Sequence, residues 1–430
     1  MKILIGDCFH DSDKGGGGII GGAISTIRTA CNERNCSPDI SLLFRFSRDD
    51  PRFASASRLT VKEFPDTHIL PAPISSRRGP GLQWICWVIK ILVTGPIRLL
   101  FTQYCKHPAI KAMKDADVIL FKGGNFYRSK STSSIIDSAA MLLLFYSMLL
   151  AIRLKKKFFV VSHTFGPFYT KSARRIVKKI LMSASHVSCR EHISKEILIQ
   201  CGLEPGSIEV TPDFAFATYA SGKGRIEEIL TKYRLEPCKY VAVTARPWFH
   251  EERKHGHSER HLRYVKRMAE LCDYIISHVT DKVALVVQNK GSHSLREGDI
   301  GPLKEIQHHT RNRNQIVLMD DDFCFTELTG IYGNAFMTIG TRLHSCIFSL
   351  SAGTPAIAVK YSHKADGIMH MVNADDYILD IEDLSLEAGK GMIDTIAAHR
   401  TNLSNMYLRR VNRLKRELYD LVTNMVLDNL

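Results

Sequence analysis

Two doubly wound (Rossmann-like) α/β domains facing across a cleft are what this sequence predicts, and three observations carry the prediction. At 430 residues the chain exceeds what one ordinary core fills, so two domains of about 150–200 residues are expected. Short β-rich runs alternate with helical stretches twice over, with little sign of hairpins, which is the pattern of parallel sheets covered by helices. Glycines and polar residues gather where the strands end, and in open α/β sheets that edge is where ligands bind.

The first strand, Lys2 to Ile5, runs into HDSDKGGGGIIGGAISTIRTA, read as a Gly-rich turn before a helix from Ala23 to Cys31. A strand, a turn and a helix N-terminus form a general anion cradle. No GK[ST] follows and the glycines do not form a clean dinucleotide fingerprint, so phosphate or sugar contact and a flexible substrate loop both stay open for Gly15 to Gly22. Ile40 to Phe46 is the second strand, and the polar, Pro-containing stretch Arg48 to Arg78 reads as a surface excursion. After the apolar segment around Trp84 and a short helix, Ala109 to Lys114, comes DVILFKGGN, Asp117 to Asn125. That strand ends in Gly123 and Gly124, which let the backbone approach a ligand closely, with Asn125 able to donate and accept at the same rim.

A long apolar helix, Ile135 to Leu154, precedes a strand from Lys157 to Val161 that leads to His163 on the turn SHTFGP. The basic helix carrying Lys171, Arg174, Arg175, Lys178 and Lys179 reads as a solvated face. His186 to Glu191 reaches another turn, Ser194 is the expected N-cap of the next helix, and the strand toward Asp213 closes a first domain placed at 1–220. Ala220 to Pro237 is a polar, charged bridge. The second domain, 236–392, restarts the rhythm with strands at Tyr240 to Ala245 (ending at Arg246), Val283 to Gln288 and Gln315 to Met319. The interleaved helices are His261 to Val279, Leu303 to His309 and Phe325 to Tyr332.

The stretch TIGTRLHSCIFSLSAGTPAIAVKYSHK, Thr338 to Lys364, organises that half. A strand breaks at Gly340, Arg342 and His344 sit on the turn that opens an apolar helix, and Gly353-Thr354-Pro355 ends the helix. A second strand follows, with Lys364 just past it and Lys360 inside it. A buried βαβ unit needs apolar residues, yet Arg342, His344 and Lys364 stand at its strand ends. The terminal segment, 393–430, is one helix expected to pack back on the first domain.

Composition narrows the function. A net charge of +14 favours anionic partners such as nucleic acid, phosphorylated metabolites or acidic membrane surfaces. No aromatic-plus-basic RNA motif, zinc finger or basic zipper supports nucleic acid. Eleven scattered cysteines with no CxxC pair point to reduced thiols in the cytoplasm, with no zinc site. The start, MKILIGDCF, reads as a strand and carries no secretion signal. Ser138 to Ile152 is about fifteen apolar residues, short of the roughly twenty that cross a bilayer. Trp84 to Phe101 holds Lys90, Arg98 and Gly95-Pro96. With the basic flanks Arg77-Arg78 and Lys106-His107 it admits a second reading, a peripheral helix at the inner membrane face.

Four patterns in this order resemble the polysaccharide pyruvyl transferase family: DVILFKGGN, HTFGPF (His163 to Phe168), SCREHIS (Ser188 to Ser194) leading to Asp213, and GTRLHS with GTP and YSHK downstream (Gly340 to Lys364). The family carries an Asn-x-Gly-Asp-type loop after the first strand, where HDSDKGGGG stands here. The resemblance implies a fold similar to the GT-B glycosyltransferases. It implies phosphoenolpyruvate as donor and, as product, a cyclic pyruvate ketal on a sugar of a cell-surface glycan or its lipid-linked precursor; that chemistry needs no metal and no other cofactor. It also places Arg190, Arg342, His344 and Lys364 at donor-binding and catalytic positions.

The residue types suit that chemistry. Guanidinium forks match a phosphate and a carboxylate, and a histidine near neutral pKa can protonate an enol ether carbon. His344 is thus the expected general acid, and Arg190, Arg342 and Lys364 the anion clamp, with Lys360 competing for the place of Lys364. Glu191 or Asp213 would orient a partner or accept a hydroxyl proton. Gly123, Gly124, Asn125, His163 and Arg246 are candidates for the acceptor side or the cleft. A nucleotide-sugar glycosyltransferase and a non-catalytic glycan-binding protein on the same fold are the competing readings.

Overall fold

The computed structural model describes residues 1–75, 82–129, 131–248, 259–291, 298–362 and 364–427; Arg77 and Arg78 lie outside them. The chain divides into two compact units. Unit 1 comprises Met1–Asp11, Ile19–Phe214 and the stretch from Arg416 onward, and unit 2 comprises Ser12–Gly18 and Ala215–Lys415.

Unit 1 is built on β1 (Lys2–Cys8), β2 (Asp39–Phe44), β3 (His68–Leu70), β4 (Val118–Lys122), β5 (Phe158–His163), β6 (His186–Cys189) and β7 (Glu209–Val210). Every adjacent pair is parallel, in the order β3-β2-β1-β4-β5-β6-β7. Unit 2 repeats the plan with β8 (Tyr240–Thr244), β9 (Lys282–Val286), β10 (Ile316–Met319), β11 (Thr338–Gly340), β12 (Ala356–Lys360) and β13 (Ile378–Asp380), all parallel in the order β10-β9-β8-β11-β12-β13. The central strands read as unbroken apolar runs because both faces are covered; β8 is buried at every position. In each sheet the order reverses once, between β1 and β4 and between β8 and β11. Such switch points open a crevice beyond the strand C-termini.

The connections are helices α1 (Lys14–Asn32), α2 (Arg58–Glu63), α3 (Leu82–Leu100), α4 (Pro108–Asp115), α5 (Ser134–Leu144), α6 (Tyr146–Arg153), α7 (Lys171–Leu181) and α8 (His192–Gln200) before Phe214. Beyond it lie α9 (Lys223–Lys232), α10 (Glu259–His278), α11 (Ile300–His309), α12 (Phe325–Gly333), α13 (Leu343–Ser351), α14 (Lys364–Met371) and α15 (Leu386–Leu427), the last kinked at His399.

Several local expectations are corrected. Gly15 to Gly22 form no turn; they are the first half of α1, and the cost of about 1 kcal/mol per helical glycine is offset where missing side chains allow close packing. Arg48 to Arg78 contains α2 and β3. The long apolar helix is two, α5 and α6, bent by 63° at Phe145, whose buried ring stacks on Tyr127 with centroids 4.1 Å apart. Ser194 lies within the first turn of α8, where its hydroxyl accepts from the Phe165 N–H at 2.8 Å. The charged bridge contains α9, a helix of unit 2, because Ile226, Ile229 and Leu230 bury one face at helical spacing. Ile226 lies over Gly330, where a Cβ would sit 2.3 Å from its Cδ1. Among the described residues no single helix is long and apolar enough to cross a membrane, although the bent pair α5 and α6 passes that test jointly.

Candidate active site

Unit 2 places its polar residues at the switch point. β11 ends at Gly340, Arg342 is the N-cap of α13, and His344 lies in that helix's first turn. A layer of hydroxyls fixes the turn. Ser345 Oγ donates to the Arg342 carbonyl at 2.6 Å and lies 2.9 Å from Thr244 Oγ1, while Thr341 Oγ1 is 2.9 Å from Tyr264 OH. The far end of α13 closes with Thr354 N–H on Ser349 O and Gly353 N–H on Leu350 O, Gly353 taking φ +81°. The helix is locked at both ends.

Arg342 is aimed by a carboxylate that the sequence did not single out. Its Nε and Nη2 donate to Asp299 Oδ1 at 2.9 and 2.5 Å. Asp299 Oδ2 in turn accepts from the Gln288 and Asn289 N–H groups at 3.1 and 2.8 Å. Burial pushes the Asp299 carboxyl above the usual carboxylate range, against the pull of Arg342 and those two N–H groups. Burial alone would lower the Arg342 pKa, but the Asp299 charge outweighs it and the guanidinium stays firmly cationic.

The first turn of α1 belongs to the same unit and packs on His344. A Cβ on Gly15 would stand 2.2 Å from His344 Nδ1, so only glycine fits under that ring. Lys14, buried, donates to Asp322 Oδ1 at 2.6 Å, and Gly18 passes over Phe348 with 2.5 Å between its would-be Cβ and Cε1. Arg246, at the end of β8, stacks on Tyr361 with its Cζ 3.9 Å from the ring centroid. Lys364 and Lys360 both line a small pocket with Gly340, Thr341, Leu343 and Tyr361. The Lys360 ammonium is held by Asp366 at 2.9 Å, a hydrogen bond that raises its pKa. Unit 2 thus brings Arg246, Arg342, His344, Lys360 and Lys364 to neighbouring strand ends.

Unit 1 carries the other candidates at the C-terminal ends of β4, β5 and β6. Arg190 is buried, with Nε donating to Thr164 Oγ1 and Nη1 to Asp213 Oδ2, both at 2.7 Å, and Glu191 Oε2 3.6 Å away. Gly123 and Gly124 serve packing: a Cβ on Gly123 would meet the Ser162 carbonyl oxygen at 2.6 Å, and one on Gly124 the Phe126 ring at 2.5 Å. Asn125 is exposed.

His163 belongs to a buried cluster invisible in the sequence. Asp7 and Ser162 both take left-handed φ, 61° and 56°, and the register of β1 and β5 slips beside them. These irregularities turn Asp7 Oδ2 to 3.8 Å from His163 Nε2. Asp7 also accepts from Tyr127 OH and, at 2.8 Å, from Arg45 Nη1. Arg45 lies over the Phe126 ring at 4.3 Å. Burial raises the Asp7 pKa against Arg45 and Tyr127. Burial, with Lys122, Arg190 and Arg45 nearby, holds His163 neutral far below the usual histidine range. Among the described residues no three His, Cys, Asp or Glu side chains converge as a metal site needs.

A family model described as polysaccharide pyruvyl transferase matches residues 33–363, which takes in β4, the His163 turn, Arg190 and the whole β11–α13–β12 unit. The chain belongs to the polysaccharide pyruvyl transferase family. That makes it a transferase with a saccharide acceptor. The amylovoran biosynthesis protein AmsJ of Erwinia amylovora is 23% identical over 392 residues, 89% of each chain. In fold the family member resembles a UDP-GlcNAc 2-epimerase from Neisseria meningitidis bound to UDP-GlcNAc (10% identity, TM-score 0.56, all of both chains). It also resembles a glycosyltransferase from Rickettsia africae (12%, 0.57, 99% of this chain and 97% of that one) and HepE of Anabaena in complex with UDP and glucose (12%, 0.54, 100% and 98%). At these identities the likeness is one of fold, the GT-B type that the family resemblance implies.

Proposed function

We propose that this protein moves the pyruvyl group of phosphoenolpyruvate onto two hydroxyls of one sugar in a cell-surface polysaccharide or its lipid-linked precursor. His344 protonates the methylene carbon of the enol, which becomes the methyl group. A sugar hydroxyl attacks the cationic carbon so formed and gives its proton to the imidazole of His344, which the first step left neutral. The carbon–oxygen bond to phosphate then breaks, inorganic phosphate leaves, and the second hydroxyl closes the ketal, its proton going to phosphate or water. Arg342 and Lys364 are the clamp for the donor's phosphate and carboxylate, and no metal or other cofactor takes part.

The observation that supports this reading best is the placement of Arg342 and His344 at the switch point of unit 2, with Arg342 held by Asp299. A guanidinium fixed by a buried carboxylate meets an incoming anion without reorganising, which is where electrostatic catalysis gains most. Membership of a polysaccharide-modifying family supports the acceptor class.

The test is donor dependence. Phosphoenolpyruvate with the glycan of the producing cell should release inorganic phosphate and add one pyruvate ketal by mass. His344→Ala should abolish turnover and leave donor binding intact. Release of UDP or GDP from a nucleotide sugar, with no phosphate from phosphoenolpyruvate, would overturn the proposal. So would full turnover by His344→Ala.

A further inference from the structure

From Ile89 onward the described residues of α3 turn an apolar face outward, the reverse of an ordinary surface helix. Ile89, Leu92, Val93, Ile97, Leu100 and Tyr104 are each 50–83% exposed, and their spacing puts them on one stripe along α3 and its C-terminal extension. The opposite face is anchored. Ile91 and Thr102 are buried, and Tyr146 OH of α6 donates to the Gly95 carbonyl at 2.9 Å. Arg153 holds the Leu99 and Leu100 carbonyls through Nε and Nη2 at 3.2 and 3.4 Å. The stripe is therefore held outward by fixed contacts on its inner side.

Charge identifies what covers it. Between Thr67 and Cys189, the stretch that contains α3, the sequence holds nineteen Lys and Arg against three Asp and no Glu. That net +16 exceeds the +14 of the whole chain, so the rest of the protein is slightly acidic. Around the C-terminal end of α3 stand Arg98, Arg153, the exposed Lys106 and Lys114, whose ammonium donates to the Gln103 carbonyl. An apolar stripe with an aromatic at one end and cations at its rim is what a helix lying in the plane of an anionic bilayer presents. A second copy of this chain would bring the same positive charge against itself, so self-association through this face is disfavoured.

We propose that α3 docks this protein on the surface of anionic phospholipid membranes, with the stripe in the headgroup boundary and the surrounding Lys and Arg on the lipid phosphates. The binding does not rest on the reaction proposed above. If the acceptor is lipid-linked, the same contact holds the enzyme where that acceptor is.

Co-sedimentation with sucrose-loaded vesicles tests the proposal. The full chain should bind vesicles of phosphatidylcholine mixed with phosphatidylglycerol, bind vesicles of phosphatidylcholine alone more than about tenfold more weakly, and be released by salt. The triple variant Leu92→Glu, Ile97→Glu, Leu100→Glu should lose more than about tenfold in binding, with an unchanged melting temperature and unchanged turnover on a soluble acceptor. Three results would each overturn the proposal: no sedimentation of the wild type with anionic vesicles, equal binding by the triple variant, or a wild-type dimer in solution that the triple variant converts to monomer. Because the readout is binding, failure of the pyruvyl transfer reading leaves this test intact.

Discussion

Gly15→Ala and Gly16→Ala differ by one position and should have opposite consequences. On Gly15 the added methyl carbon would stand 2.2 Å from His344 Nδ1, whereas on Gly16 nothing lies within 4 Å. Ordinary contacts begin near 3.5 Å, so the imidazole must retreat by roughly 1 Å or the start of α1 must tilt. Misplacing a reacting group by about 1 Å costs on the order of 100-fold in rate, equivalent to about 2.7 kcal/mol of barrier. The same substitution gains up to about 1 kcal/mol of helix propensity, which offsets part of the strain. Gly15→Ala should therefore fold, melt within a few degrees of wild type and lose about 100-fold in kcat, with donor affinity little changed. Gly16→Ala should keep full kcat and gain about 0.5–1 kcal/mol in stability. Phosphate release under saturating phosphoenolpyruvate and urea unfolding measure the two quantities. Wild-type kcat in Gly15→Ala, or an equal loss in Gly16→Ala, would refute the claim that α1 positions His344.

Further outcomes follow from the same geometry. Asp213→Asn leaves Arg190 buried without its charge partner and should cost about 3–5 kcal/mol in urea unfolding; a loss under 1 kcal/mol would mean that water or another acceptor replaces the carboxylate. Lys364→Met should raise the donor KM far more than Lys360→Met, whose ammonium is held by Asp366, and equal effects would remove Lys364 from the clamp. Folded His163 stays neutral well below the usual histidine range, while the unfolded chain takes up a proton near 6.5. The unfolded state thus binds more protons, and stability should fall below pH 6.5 by up to about 1.4 kcal/mol per pH unit from this residue. His107, pushed down to about 4 by burial, adds a term of the same sign. The buried Asp7, whose pKa is raised, works in the opposite sense at lower pH. Comparing His163→Gln with wild type at pH 7 and 5.5 isolates the His163 part, and a parallel decline in both would refute it.

Much of the fold was legible because it rests on local physics. The runs Val118–Lys122, Tyr240–Thr244 and Ala356–Lys360 are apolar throughout, as strands covered on both faces must be. Gly353 and Pro355 marked the end of α13 by backbone chemistry alone. Arg342, His344 and Lys364 stood out because a buried crossover has no use for them. Expectations failed where one contact outweighed propensity. Six glycines in HDSDKGGGGIIGG speak for a turn, yet Gly15 and Gly18 pack on His344 and Phe348 and the segment is helical. Phe145 reads as one more apolar helix residue, yet the helix breaks there, with the ring stacked on Tyr127.

By itself, then, the sequence determined the alternating parallel architecture, the family and the residues at the end of β11, since each follows from period, turn chemistry and residue type along the chain. Only the tertiary structure decided which groups hold those residues. Asp299 reaches Arg342 from the turn before α11, forty-three positions earlier, and Gly15 meets His344 across more than three hundred residues. Asp7, Tyr127 and His163 converge because two strands slip register beside left-handed residues. These are distances through space, fixed by which elements far apart in the chain pack against one another, and spacing along the sequence does not encode them.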